Sequence, residues 1–158
     1  MHGNLPEEKG TYVLIASAPR MKRIEIGRLG RFDIPPGFYA YVGSAFGAGG
    51  LRARLGHHLE STARPHWHID YLLRVARPVE IWLSTAPWKL EPQWAGLLEA
   101  APQFRVPIPG FGCSDSPRRR ASHLFYSSRR PRFRWFQQRA AETSPALVVK
   151  RLRLSQQG

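Results

Sequence analysis

The sequence predicts an α+β fold, in which a small, mostly antiparallel three-stranded sheet is flanked by helices and followed by an extra C-terminal strand and a basic tail. Two observations lead to this prediction. Short segments rich in β-branched and aromatic residues lie near the N-terminus, and apolar residues recur at helical spacing further along the chain. With 158 residues, the chain is long enough for one hydrophobic core and short for two.

Three segments predict the strands of this sheet. Residues 11–17 (TYVLIAS) and 38–44 (FYAYVGS) are rich in β-branched and aromatic side chains, and glycine or proline residues bound them. Residues 23–28 (RIEIGR) lie between them and alternate apolar with charged side chains, which is the period of a half-buried strand. We therefore expect a small meander.

Three further segments predict helices. Leucines recur at i, i+4 and i+8 in residues 51–62, and apolar side chains recur at i, i+3, i+4 and i+7 in residues 67–76. Residues 91–101 carry a similar stripe, with a proline in the first turn, where helices tolerate it. Each predicted helix has one apolar side to pack on the sheet.

The remaining segments complete the predicted fold. Residues 79–84 (VEIWLS) and 122–127 (SHLFYS) are typical of strands, and residues 147–154 (LVVKRLRL) of a terminal strand or a short helix. We expect one domain over residues 9–127 and a basic, aromatic C-terminal extension over residues 128–158.

The charge of the chain favours a polyanionic partner. Lys and Arg number 24 against 11 Asp and Glu, which gives a formal net charge of +13. Such a charge attracts phosphate backbones, and nucleic acid is the leading partner. Anionic membranes would be attracted by the same field, but the sequence has no long apolar run and no signal-peptide core, so no membrane partner is expected. The single cysteine, Cys113, excludes an intramolecular disulfide and favours a cytoplasmic location.

Two tyrosines stand in similar tripeptides, Gly10-Thr11-Tyr12 and Tyr41-Val42-Gly43. Side chains alternate across a strand, so Tyr12 and Tyr41 can face the same cleft if their strands are neighbours. The alternative is that both are ordinary strand tyrosines with hydroxyls at the surface.

The first predicted helix carries a candidate phosphate-binding pair. Arg54 and His58 are four residues apart on one flank of the leucine stripe, and Arg52 lies on the other flank. Phosphodiester cleavage needs a cation that holds the phosphate oxygens as negative charge grows, and the arginine fork does so in a bidentate manner. Arg52 is the second choice, and the alternative for both is a solvated helix charge. His58 could donate to the phosphate or act as an acid.

Glu91 is the candidate metal ligand. It lies three residues before Trp94, on the apolar side of its helix. A carboxylate aimed toward the core is costly unless it is paired or bound to a metal. The alternative is a carboxylate favoured by the helix dipole, and Glu80 is the second candidate ligand.

The segment His66-Trp67-His68-Ile69-Asp70 suggests a metal site at first sight. On the predicted helix, however, His66 and Asp70 share a side and His68 points elsewhere, so the three cannot chelate one ion. We expect hydrogen bonds from His66 and Asp70 near the helix start, or a contact between His66 and substrate phosphate.

Two basic segments are candidate nucleic-acid contacts. Residues 129–136 (RRPRFRWF) interleave arginines with aromatic rings, which can grip phosphates while stacking on unpaired bases. The alternative is a tail that packs its rings on the domain and leaves its arginines solvated. The candidate binding residues are Arg118, Arg119, Arg120, Arg129, Arg130 and Arg132.

The order of these motifs resembles the GIY-YIG nuclease superfamily. The segments GTYVLI, PPGFYAYVGSAFG, GLRARLGHHL, HWHIDYLL, PGFGCSD and SHLFY are similar to those of its Uri-type, or DUF123, subfamily, over roughly residues 9–127. The resemblance implies a metal-dependent endonuclease that acts on nucleic acid, DNA rather than RNA, in repair or recombination.

The resemblance also implies roles for single residues. Tyr12 would be the general base or would orient the attacking water, and Tyr41 would assist it. Arg54 would stabilise the pentavalent phosphate, and Glu91 would hold one Mg²⁺ (or Mn²⁺). The competing function is a DNA- or RNA-binding module that retains the nuclease fold without cleaving.

Overall fold

The computed structural model describes residues 4–60, 64–112 and 122–155, and within them it has seven strands and four α-helices. In chain order the strands are β1 (Gly10–Ala18), β2 (Lys22–Ile26), β3 (Gly30–Ile34), β4 (Gly37–Ala45), β5 (Arg77–Ser84), β6 (Leu124–Ser127) and β7 (Lys150–Arg153). The helices are α1 (Gly50–Leu59), α2 (His68–Leu72), α3 (Glu91–Ala100) and α4 (Phe133–Thr143). The α+β prediction is therefore confirmed. None of these helices is long and apolar enough to cross a membrane.

The main sheet has five antiparallel strands in the order β6-β4-β1-β5-β7, so the prediction of three strands was wrong. The strand expected at residues 23–28 forms as β2, but it pairs only with β3, in a separate two-stranded hairpin. The predicted meander fails because β4 and β5 already occupy both edges of β1. In the hairpin, the charged side chains of Arg23 and Glu25 are exposed to water. In a sheet covered on both faces they would be buried.

Helices cover both faces of the main sheet. One face carries Tyr12 and Tyr41 and packs against α1, α2 and the hairpin. The other carries Val13, Val42 and Trp82 and packs against α3 and α4. Strands buried on both faces are expected to be apolar almost throughout, which accounts for the composition of β1.

The C-terminal segment from residue 128 packs on this sheet as far as the structure describes it. β7 pairs with β5 at the sheet edge, so the terminal segment is a strand rather than a short helix. The helix α4 was not predicted. Its Phe136 is fully buried, stacks on Trp82 with centroids 5.0 Å apart and meets Trp94 edge-on at 5.0 Å. At this position the aromatic ring therefore packs on the domain.

We expect Phe136→Ala to lower the free energy of unfolding by about 3–5 kcal/mol, the range for a large buried aromatic side chain, because it leaves a cavity between two tryptophan rings. Gln137→Ala changes the next, exposed position of α4 and should alter stability by less than about 0.5 kcal/mol. Urea unfolding followed by tryptophan fluorescence measures both variants. Equal, small effects would show that α4 is not anchored through Phe136.

Candidate active site

A cleft of about 320 Å³ lies along the C-terminal half of β4, mainly on the side of the main sheet that α1 and α2 cover. Ser44 and Glu91 reach it from the other side. Its walls come from β4, α1, α2 with the loop before it, the start of α3, and the chain near residue 112. The residues that line it are Tyr41, Gly43, Ser44, Arg54, His66, Trp67, His68, Glu91 and Gly112. The cleft therefore collects a phenol, a guanidinium, a carboxylate and two imidazoles from segments that are far apart in the sequence.

Tyr12 lies in the layer beneath the cleft. Tyr12 is fully buried, whereas Tyr41 is 9% exposed and lines the cleft. The two rings lie on the same face of the sheet, with centroids 6.4 Å apart. In the register of β1 and β4, Tyr12 stands opposite Gly43, where a Cβ atom would lie 2.5 Å from Tyr12 Cζ. A Cβ atom at Gly10 would likewise overlap the backbone carbonyl of Ser84 in β5. Close packing therefore explains the glycine of each tripeptide.

His58 connects Tyr12 to Asp70. The Tyr12 hydroxyl lies 2.8 Å from Nε2 of His58, and Nδ1 of His58 lies 3.7 Å from Oδ1 of Asp70. When the hydroxyl donates to Nε2, the proton of the neutral imidazole is on Nδ1 and faces the carboxylate. Asp70 also accepts hydrogen bonds of 2.9 Å from the backbone N–H groups of His66 and Trp67. One side chain each from β1, α1 and α2 thus forms a chain of polar groups below the cleft, in which Tyr12 is hydrogen-bonded to His58 and Nδ1 of His58 faces Asp70 beyond hydrogen-bond distance.

Burial and hydrogen bonding set the protonation states of this chain. Burial, reinforced by Tyr41, raises the pKa of Tyr12 well above its usual value. Burial lowers the pKa of His58, although Asp70 opposes this effect. For Asp70, burial alone would raise the pKa, but the nearby His58 ring and the hydrogen bonds from the backbone of Trp67 and His66 outweigh it and hold the pKa well below its usual value. A neutral phenol and a neutral imidazole therefore stand next to an ionised carboxylate.

Arg54 supplies the positive charge of the cleft. It lies one turn before His58 on α1, and its guanidinium carbon stands 4.5 Å from the centroid of the Trp67 ring. Stacking on an aromatic face holds the fork in place without neutralising it. None of the ion pairs between described residues involves Arg54. Its charge is therefore available to an anion in the cleft.

Glu91 begins α3 and holds the opposite charge at the cleft wall. Ser44 donates a hydrogen bond of 2.6 Å to its Oε2, and His123 Nδ1 lies 2.7 Å from its Oε1. Burial raises the pKa of Glu91, but the hydrogen bonds from His123 and Ser44, with the charges of His123 and Arg54, outweigh burial and lower it. The side chain is 23% exposed, so an ionised carboxylate reaches the cleft.

The surroundings of Glu91 fit one kind of metal site. The described residues contain no group of three or more His, Cys, Asp or Glu side chains that could enclose a metal ion. Mg²⁺ is commonly bound by one or two carboxylates together with waters and substrate phosphate, and each Glu91 oxygen keeps a lone pair beyond the hydrogen bond that it accepts. Glu91 therefore fits Mg²⁺ or Mn²⁺ held partly by substrate. Glu80, the second candidate, lies on the other sheet face and pairs with Arg130 at 3.0 Å.

The other arginines proposed from the sequence do not lie in this cleft. Arg52 donates a hydrogen bond of 2.9 Å to the carbonyl of Leu5 and pairs with Glu7, so it ties the N-terminal segment to α1. Arg129, Arg130 and Arg132 immediately precede α4. The positions outside the described residues are Cys113, Arg118, Arg119 and Arg120.

Two side chains that line the cleft, His68 and Ser44, were missed by the sequence prediction, and His123, which could face the cleft or sit at the strand end, contacts Glu91 at the cleft wall. His68 was expected to point away from His66, but α2 begins only at His68, so His66 precedes the helix and both line the cleft. Ser44 directly follows the second tripeptide, and this adjacency could have indicated it. His123 reaches Glu91 because its backbone carbonyl accepts a hydrogen bond of 2.9 Å from the N–H of Val42. No local pattern predicts this pairing.

We expect Gly43→Ala to push Tyr12 away from His58 and to lower the free energy of unfolding by about 1–3 kcal/mol, the usual cost of overpacking a filled site. Gly56→Ala is the matched control, because nothing lies within 4 Å of a Cβ atom at this helical position. There the better helix propensity of alanine should raise stability by up to about 1 kcal/mol. Guanidinium unfolding measures both, and a Gly43→Ala protein of undiminished stability would contradict the packing argument.

We expect the stability that Asp70 contributes to be lost in acid. Its pKa is lower in the folded than in the unfolded chain, where it is about 3.9, so the contribution is complete well above pH 4 and declines as the pH falls below it. Asp70→Asn should lower the free energy of unfolding by about 1–3 kcal/mol at pH 7, and by less at pH 3.

Thermal unfolding between pH 3 and pH 7 measures this difference. Asp33→Asn is the control, because this exposed carboxylate pairs only with the exposed Arg23 and should change stability by less than about 1 kcal/mol. An Asp70→Asn effect of constant size across the pH range would contradict the linkage.

Comparison with known proteins gives a family for this chain. A family model described as a domain of unknown function, DUF123, matches residues 11–144. This span runs from β1 through α4 and contains every described residue that lines the cleft. No curated protein and no solved structure matches the chain. Since the family model covers most of the 158 residues, the chain belongs to the DUF123 family.

Proposed function

We propose that this protein is a metal-dependent endonuclease of the GIY-YIG type, which hydrolyses phosphodiester bonds in nucleic acid, in DNA rather than RNA, in repair or recombination. The observation that carries the proposal is a single cleft in which Tyr41, Arg54 and Glu91 meet above the buried Tyr12. The net charge of +13 supports a polyanionic substrate. The order of the sequence motifs supports the superfamily.

Arg54 would bind the scissile phosphate. Its guanidinium is stacked on Trp67 and makes no ion pair within the described structure, so a phosphate entering the cleft meets a charge that is already oriented. Donors that are fixed before the reaction stabilise developing negative charge without reorganisation, and this effect is commonly the largest single contribution to catalysis. His66 and His68 line the same cleft and would supply further hydrogen bonds to phosphate oxygens.

The two tyrosines would have different roles toward the attacking water. Tyr41 lines the cleft and would orient the water, and Tyr12 lies directly below the cleft wall at Gly43. A phenol with a raised pKa can accept a proton from water only if its own proton leaves at the same time. Nε2 of His58, at 2.8 Å, is positioned to accept it, and Asp70 would stabilise the resulting imidazolium. Tyr12 would therefore act as a general base through His58.

Glu91 would hold the divalent cation. When bound, Mg²⁺ or Mn²⁺ would supply positive charge to the scissile phosphate. Ser44 and His123 fix the carboxylate through both of its oxygens, so its orientation does not depend on the metal. Such supporting hydrogen bonds are typical around metal ligands and keep the ligand in position before the metal arrives.

The competing proposal is a DNA- or RNA-binding module that keeps the fold without cutting. The complete burial of Tyr12 favours it, because a buried phenol cannot contact bulk water. The two proposals make the same prediction for binding and differ in turnover, so a cleavage assay separates them.

We expect the purified protein to nick single-stranded, duplex or branched DNA when Mg²⁺ or Mn²⁺ is present, and EDTA to abolish the activity. Tyr12→Phe, Arg54→Ala and Glu91→Gln should each lower the cleavage rate by about 100-fold or more, because each removes one catalytic group. Binding of the same DNA in EDTA should stay within about threefold for Tyr12→Phe and Glu91→Gln, which leave the positive charge unchanged. Gel analysis of end-labelled DNA measures the rate, and fluorescence anisotropy the affinity.

Matched controls lie outside the cleft. Tyr71→Phe, Arg28→Ala and Glu99→Gln change the same residue types at positions that do not line it, and Glu99 is on the same helix as Glu91. All three should cut at the rate of the unaltered protein. Undiminished activity in Glu91→Gln would overturn the metal assignment. Binding without cleavage for every DNA tested would favour the non-catalytic module.

A further inference from the structure

A second cationic site lies on the sheet face opposite the cleft. Two segments that are distant in the sequence, residues 130–134 before and within α4 and residues 151–153 of β7, converge around Glu80 of β5 to form an open groove of about 800 Å³. We call it the arginine groove. The residues that line it are Glu80, Arg130, Pro131, Arg132, Phe133, Arg134, Arg151 and Arg153.

The charge of the arginine groove is unbalanced. Glu80 is the one carboxylate among its lining residues, and it is almost completely buried, at 4% side-chain exposure. Its oxygens are occupied by Arg130 at 3.0 Å, by the indole N–H of Trp82 at 2.8 Å and, more distantly, by Arg151 at 3.9 Å. One negative charge therefore faces five arginines.

Three of these arginines are directed to solvent. Arg132, Arg134 and Arg153 are exposed, and no ion pair between described residues involves them. Like charges held together oppose folding through mutual repulsion, and an anion bound among them removes that repulsion. With a volume of about 800 Å³ and five arginines among its lining residues, the groove has the composition of a site for phosphate oxygens.

The aromatic side chain of the groove, Phe133, already contacts neighbouring side chains. Phe133 lies against Trp82 at 5.9 Å, and the guanidinium carbon of Arg151 covers it at 5.2 Å from the ring centroid. These two contacts reduce the part of the ring on which an unpaired base could stack. This favours contact with the backbone, which is independent of sequence and is compatible with duplex nucleic acid.

We propose that the arginine groove binds the phosphodiester backbone of a second segment of the nucleic acid whose scissile segment lies in the cleft. The placement of a scissile segment in the cleft rests on the proposed function, whereas binding in the groove does not. Because the two sites lie on opposite faces of the sheet, a nucleic acid that occupies both must turn around a sheet edge. Duplex DNA is stiff over about 150 base pairs, so a branched or flexibly bent substrate does this more readily than a straight duplex.

The test compares two triple variants of the full chain with equal loss of charge. Arg132→Gln, Arg134→Gln and Arg153→Gln together remove the solvent-directed arginines and keep Arg130 and Arg151, which hold Glu80. The control variant combines Arg20→Gln, Arg28→Gln and Arg31→Gln, which are exposed and distant from both sites. Circular dichroism and thermal unfolding confirm that both variants fold.

Affinity for a fluorescent four-way DNA junction is measured in EDTA at several salt concentrations. We expect the groove variant to bind the junction at least about tenfold more weakly, and the slope of log Kd against log salt to fall by about two to three, since up to three phosphate contacts are lost. The control variant should change affinity by less than about threefold. Equal losses in the two variants, or no loss in the groove variant, would overturn the proposal.

Cleavage in Mg²⁺ then separates this inference from the proposed function. If the protein cuts, the groove variant should cut a short single strand at the unaltered rate and lose activity only on the junction. The other outcome is that the protein cuts no DNA, while junction binding is lost in the groove variant and kept in the control variant. This outcome would support the groove proposal and contradict the nuclease proposal. Loss of binding to phosphatidylserine vesicles in the groove variant, with junction binding retained, would overturn the groove proposal in favour of a lipid surface.

Discussion

The contact between Tyr12 and Gly43 at the centre of the sheet is the constraint on which the rest of the site depends. β1 is hydrogen-bonded along both edges, so Tyr12 cannot slide, and the missing side chain of Gly43 leaves the only space for its ring against β4. A buried phenol needs a hydrogen-bond partner, and Nε2 of His58 provides it. That bond, together with the burial of Leu51 and Leu55, orients α1 against the sheet. Arg54, one turn earlier on α1, is thereby directed into the cleft.

Asp70 and Glu91 beside the cleft are held by hydrogen bonds, whereas Arg54 makes no ion pair with a described residue. Asp70 accepts hydrogen bonds from the backbone of His66 and Trp67 and faces His58, and Glu91 is held through both oxygens. Among the described residues, Arg54 stacks on Trp67 and has no carboxylate partner. A charge that is oriented but not neutralised makes the cleft attractive to phosphate, whereas a salt bridge at the same position would have to break before substrate could bind.

Local patterns in the sequence predicted the parts of the site that depend on neighbouring residues. The alternation of side chains placed Tyr12 and Tyr41 on one face, and the spacing of four placed Arg54 beside His58. The predictions that failed concern contacts between segments that are distant in the sequence. β2 joins its own hairpin because β5, far along the chain, takes the second edge of β1. His123 reaches Glu91 only because β6 pairs with β4, and the arginine-rich segment before α4 gives no local sign that it will pack against β7.

The two faces of the sheet differ in how much positive charge is left without a carboxylate partner. Burying a carboxylate requires that donors surround it, and both Asp70 and Glu80 are satisfied in this way by groups within the protein. Glu80 is paired with Arg130 and, at 3.9 Å, with Arg151, whereas the other lining arginines of the groove make no ion pair with a described residue. Near Glu80 these surplus charges are more numerous than in the cleft, where Arg54 stands alone among the lining arginines. The face with more surplus charge is suited to holding a long polyanion, and the face with one oriented charge, a carboxylate and two tyrosines is suited to acting on a single phosphate.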